Sequence, residues 1–143
     1  MANDFQLKRF IEAQEHTYDV ALSEIKAGRK KSHWVWFIFP QIQGLGFSET
    51  ARYYAIKDLN EATVYLHHPI LGERFIRISN ALLHLKTSDA HGIFGSPDDL
   101  KLKSSMTLFS SIENANPVFP AILEKFFGGA KDPKTLRILK SRQ

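Results

Sequence analysis

The sequence predicts a mainly helical protein, one compact multi-helix domain over residues 1–143 with little or no β-sheet. Apolar residues recur at helical spacing along most of the chain. Capping residues stand in front of the apolar runs, at Asp4, Ser48, Asp58, Ser96, Asn116 and Asp132. Hairpin turns and an alternating βα pattern are both missing, and connections are short.

The elements follow in order. Asp4 caps a helix beginning at Phe5, in which Phe5, Leu7, Phe10, Ile11, Ala13, Tyr18, Ala21, Leu22 and Ile25 repeat up to a stop at Gly28. His33 to Phe39 is apolar on all sides and runs into Pro40, which suits a short buried helix. If the chain holds any strand, Val35–Phe39 or Ile93-Phe94 supplies it. Ser48 caps a helix through Ala51, Tyr54 and Ala55. Asp58 and Glu61 form a capping box for a helix ending near His67. Pro69 suits the first turn of a helix reaching about Lys86, with Leu71, Phe75, Ile78, Leu82 and Leu85 inward. Ser96-Pro97-Asp98-Asp99 combines a cap, a proline and acids at the positive end of the helix dipole. Asn116-Pro117 and Asp132-Pro133 repeat that logic for two C-terminal helices, which Gly128-Gly129 separates.

Composition narrows the chemistry. Hydrophobic residues make up 43% of the chain, ordinary for a globular protein. The absence of cysteine excludes a disulfide framework, a thiol nucleophile and a cysteine-ligated metal, and fits a cytoplasmic location. No apolar run is long enough for a membrane span, so no membrane partner is expected. The alternation from Asp4 onward is unlike a signal peptide. The net charge of +4 permits an anionic partner. The stripe Lys134, Arg137 and Lys140 is sparser than a nucleic-acid footprint. The histidines form no His-Glu-x-x-His pattern, and His67-His68 diverge by about 100° on a helix, so no metal or other cofactor is expected. A Gly-x-Ser-x-Gly elbow and a phosphate loop are also missing.

The candidate site is the stretch from Ser32 to Glu49, which holds both tryptophans within three positions. It mixes aromatic area with polar and backbone-special residues, as a pocket with an apolar wall does. Trp36 or His33 would wall a site for a flat ring such as a nucleobase. Gln41, Gly44, Gly46, Ser48 and Glu49 would supply hydrogen bonding at the mouth, with free N–H groups near Ser48 as an anion site. Glu49 is either a helix-dipole partner or a carboxylate beside a ribose. Arg52, three residues on, either holds a phosphate or pairs with Glu49. Lys101 and Ser104 share a helical face with Leu108 and suit a phosphate, or are a solvated lysine beside a packing serine. The pocket is expected to gather His33, Trp36, Gln41, Glu49, Lys101 and Ser104 around one cleft.

These residues also carry a family resemblance. Arg9-Phe10-x-x-Ala13-Gln14, Ser32-His33-Trp34-x-Trp36-Phe37-Ile38-Phe39-Pro40-Gln41, Gly44-Leu45-Gly46-x-Ser48, His68-Pro69-x-Leu71-Gly72, Ile93-Phe94-Gly95 and the run from Asp99 to Phe109 resemble the bacterial and fungal domain-of-unknown-function family "eighteen-ten", often mislabelled calpastatin. That resemblance implies a small, mainly helical cytosolic protein. A remoter one joins Ser48-Glu49, Tyr53-Tyr54 and Pro69-x-Leu71-Gly72 to NADAR domains, helical proteins of which some cleave N-glycosidic bonds of ADP-ribose-like molecules. It implies a hydrolase or N-glycosidase acting on a nucleotide or ADP-ribose-like small molecule without a cofactor, with Glu49 stabilising the oxocarbenium-like ribose or activating water. Two other classes stand beside it: a nucleotide-binding sensor without turnover, and a protein-interaction module in which the aromatic segment is core.

Overall fold

A computed structural model describes residues 6–142. Within them the chain forms α1 (Lys8–Gln14), α2 (Tyr18–Lys26), α3 (Val35–Ile38), α4 (Glu49–Tyr53), α5 (Leu59–His67), α6 (Leu71–Leu83), α7 (Ala90–Phe94), α8 (Asp98–Ser110), α9 (Val118–Phe127) and α10 (Pro133–Ser141). The expected mainly helical fold is what forms. The strand pairing among the described residues is one isolated parallel bridge between Ile42 and Ile56. Both segments proposed as possible strands are helical, in α3 and α7.

Local chemistry sets most helix starts. Ser48 accepts from Ala51 N–H at 3.1 Å, Asp58 from Glu61 N–H at 2.9 Å and Asp132 from Thr135 N–H at 3.0 Å. Asn116 Oδ1 accepts from Val118 N–H at 2.9 Å. Glu61 completes a box one residue early, accepting Lys57 N–H. Asp89 caps α7 through Gly92 N–H, a start the sequence reading did not name.

The cap expected at Asp4 for a helix from Phe5 lies outside the described residues, and three other expectations change. The single helix drawn to Gly28 is two, because α1 packs against α3 while α2 packs against α6, and the chain must turn at 15–17 to serve both. Ser96 is not a cap: α8 starts after Pro97, and Asp99 Oδ1 accepts from Leu100 N–H within the first turn. The Pro69 turn is instead closed by His68, whose Nδ1 accepts from Ile70 and Leu71 N–H.

The core organises around α6 and α8. Phe75 on α6 contacts Phe39, Tyr65, Phe109 and Phe119 within 4.6–6.0 Å between ring centroids. Helix α8 is buried on nearly every side, from Leu102 through Ser104 to Phe109, and packs against α3, α5, α7, α9 and α10. Its small residues Ser104, Ser105 and Thr107 let those neighbours approach closely. No helix is long and apolar enough to cross a membrane among the described residues.

Candidate functional site

Two buried or half-buried polar side chains hold the aromatic segment. Glu24 on α2 accepts from Lys31 N–H at 2.7 Å, Ser32 N–H at 3.0 Å, Ser32 Oγ at 2.6 Å and the Trp34 indole N–H at 2.9 Å. Gln14 on α1 donates to the Phe37 carbonyl at 2.8 Å and to the Tyr65 hydroxyl at 3.1 Å. These contacts grip α3 from both ends. Burial raises the Tyr65 hydroxyl pKa far above its usual value, so it stays neutral.

The Glu24 cluster has a pH signature. Burial alone would push its pKa up, but the hydrogen bonds from Ser32, Lys31 and Trp34 outweigh it and hold the carboxyl down to about 2, from 4.5. A depressed folded pKa stabilises the protein above the ordinary value and loses that contribution as pH falls toward the folded one. Melting curves between pH 7 and pH 2 should therefore show stability falling from about pH 4.5 downward. Glu24→Gln should be less stable at neutral pH and should flatten that fall; an unchanged acid profile would remove Glu24 as its source.

With α3 held, the tryptophans separate. Trp34 is wholly buried and packs against Phe39 and Phe94. Trp36 is half-buried and lines an open cleft of ≈ 520 Å³ with His33, Phe37, Glu49, Thr50, Tyr53 and Tyr54. Arg9, outside the cleft lining, braces the end of α4. Its Nε donates to the Tyr53 carbonyl at 2.8 Å and its Nη2 to the Ala55 carbonyl at 2.8 Å, while it pairs with Glu61 at 3.0 Å. That nearly buried pair ties α4 to α1 and α5. Glu49 is exposed at the cleft, one helical turn before Tyr53.

The expected single pocket is divided. His33, Trp36 and Glu49 share the cleft, but Gln41, Gly46, Lys101 and Ser104 line a smaller cavity of ≈ 180 Å³ with Leu45, Ala51, Pro97 and Leu100. Lys101 joins the two spaces: its Nζ lies 4.7 Å from the Trp36 ring centroid. It also stands 3.4 Å from Asp98, whose other oxygen pairs with Lys30 at 2.8 Å. Ser104 is buried, with Oγ 3.1 Å from the Leu100 carbonyl and 3.3 Å from Asp132. A hydroxyl so placed packs α8 against the start of α10. Ser48 is engaged as a cap.

Arg52 turns away from Glu49 into a third cleft, with Arg9, Gln43, Tyr53, Lys57 and Glu61. Glu49 and Arg52, three residues apart on α4, thus line different recesses. Gly44 has φ +110°, a left-handed conformation, and Gly46 leaves room for Ala51, whose Cβ a new side chain would meet at 2.6 Å. Both shape the turn between α3 and α4. The sequence reading did not place Phe37, Thr50, Tyr53 and Tyr54 in the site by spacing. The available signal was Tyr53 at four residues after Glu49, on the same helical face, and its exposure of 57% is large for an aromatic residue.

The fold and cleft define a small all-helical protein with an open, aromatic-walled recess on one side. The chain belongs to the family described as "Protein of unknown function (DUF1810)", which it matches over residues 4–139. It is similar to the conserved hypothetical protein Rv1873 from Mycobacterium tuberculosis, known from a crystal structure, with 46% identity over 95% of this chain and 97% of that one and a TM-score of 0.93. No curated protein matches it. The likeness to NADAR domains is carried by neither finding.

Proposed function

We propose that this protein binds a small molecule built around a flat ring, of the nucleotide or ADP-ribose-like class, with the ring in the Trp36 cleft. The observation that carries the reading is that Trp36, Phe37, Tyr53 and Tyr54 line one open recess, with His33 and Glu49. Stacking of a base on an aromatic side chain contributes about 1–3 kcal/mol and needs little besides a π-face. Tyr53 lines both this cleft and the Arg52 cleft, so a longer ligand passes it to bring an anionic end to Arg52 and Lys57. Lys101 and Ser104 leave the phosphate-holding set, because Asp98 and the α8–α10 packing already engage them.

Titration with adenosine, uridine and ADP-ribose tests this reading through tryptophan fluorescence and melting temperature. A specific ligand stabilises by linkage, so a rise in melting temperature and a saturable fluorescence change are expected, both lost in Trp36→Ala. Arg52→Ala should weaken ADP-ribose and leave adenosine unaffected. Silence across the panel would overturn the reading.

Hydrolysis of an N-glycosidic bond is the second reading, favoured by the position of Glu49 on the same cleft. Water would add to the anomeric carbon as the C–N bond breaks. Glu49 would stabilise the cationic ribose and take the proton from water, and the departing base would carry away the bond's electron pair.

A further inference from the structure

We propose that the ring taken by the Trp36 cleft is cationic, an N-alkylated aromatic cation of the pyridinium type in place of a neutral base. The inference rests on the ring-binding reading above and adds the charge. Phe37, Tyr53, Tyr54 and Trp36 line the recess with Glu49, and neither lysine nor arginine is among the residues of that lining. Aromatic faces carry negative quadrupole density, and the Glu49 carboxylate adds a full negative charge, so the lining favours a cation, while the Lys101 ammonium beside Trp36 is paired with Asp98. His33 completes the lining as a further ring.

Trp36 already serves as a cation platform. Lys101 Nζ lies over its ring at 4.7 Å, reaching in from the neighbouring cavity with Asp98 beside it. An indole is the strongest of the aromatic side chains in this role.

The charge pattern around the cleft points the same way. Across Tyr53 the lining changes sign, with Arg52 and Lys57 on the far side and Arg9 paired to Glu61. Two recesses of opposite preference thus meet at one tyrosine. A ligand with a cationic ring at one end and a phosphate at the other matches both, whereas a neutral nucleotide leaves the Glu49 side unanswered.

The test compares the ring-methylated nicotinamide cation with its neutral carbon isostere, meta-toluamide, which has the same shape without the charge. Adenosine is the neutral-nucleoside control, and calorimetry or tryptophan fluorescence gives the dissociation constants. The cation is expected to bind about tenfold tighter than the isostere, and Glu49→Gln to erase that difference. Glu49 is exposed, so the variant should fold, and an unchanged melting curve verifies this. Equal affinity for cation and isostere would overturn the charge preference and leave the ring-binding reading standing. Binding of adenosine or the isostere without the cation would do the same. No binding by any of the three would overturn both.

Discussion

Trp34→Ala is expected to destabilise the protein by about 3–5 kcal/mol, the range for deleting a large buried aromatic side chain. Trp36→Ala, two residues on, should cost much less and remove ligand binding instead. The difference follows from position. Trp34 has no exposed surface, touches Phe39 and Phe94, and gives its indole N–H to Glu24. Its removal leaves a cavity and takes one of the hydrogen bonds that hold the Glu24 carboxylate, which keeps those from Lys31 and Ser32. Trp36 keeps one side on the open cleft, so water refills the space. Denaturant unfolding of both variants separates the cases. A loss at Trp36 as large as that at Trp34 would make Trp36 a core residue and take the wall out of the proposed site.

Under the hydrolytic reading, Glu49→Gln should lower the single-turnover rate at saturating substrate by about 10²–10⁴-fold, the usual contribution of a placed acid–base group. The amide is nearly the same size but carries no charge to stabilise the cationic ribose or accept the water proton. If Glu49 acts only on the dipole of its short helix, the change instead costs roughly 0.3–1 kcal/mol of stability and leaves turnover intact. The rate is measured at saturation so that weaker binding of a cationic ring does not imitate a catalytic loss. Equal rates would leave Glu49 as a binding or helix-start residue.

The candidate site was legible in its ingredients and only partly in its assembly. The stretch from Ser32 to Glu49 announced itself by its mixture of aromatic and polar residues, and His33, Trp36, Phe37 and Glu49 of it line the cleft. The division of the expected pocket into two could not be read, because Ser104 and Lys101 lie on α8, whose contacts with α3 and α10 have no local signature. The supports were equally hidden. Arg9, Gln14 and Glu24 stand on helices remote in sequence from the segments they hold, and each looks like an ordinary surface residue until its partners are brought to it. Gly72 was legible as part of a motif but not in its role: a Cβ there would stand 1.9 Å from the Leu66 carbonyl oxygen, so the glycine is what lets α5 and α6 join so closely.

The sequence by itself determined where several helices begin or end, because a cap, a proline or a left-handed glycine satisfies or removes backbone groups within a few residues. Ser48, Asp58 and Asp132 act locally, and Gly128 stops α9 at φ +62°. Tertiary structure alone decided which helices face one another, why the first long apolar pattern breaks in two, and which tryptophan turns inward. Residues two apart point to nearly opposite sides of a helix. Either Trp34 or Trp36 could have been the buried one, until the Glu24 carboxylate on α2 accepted the Trp34 indole and left Trp36 to the cleft.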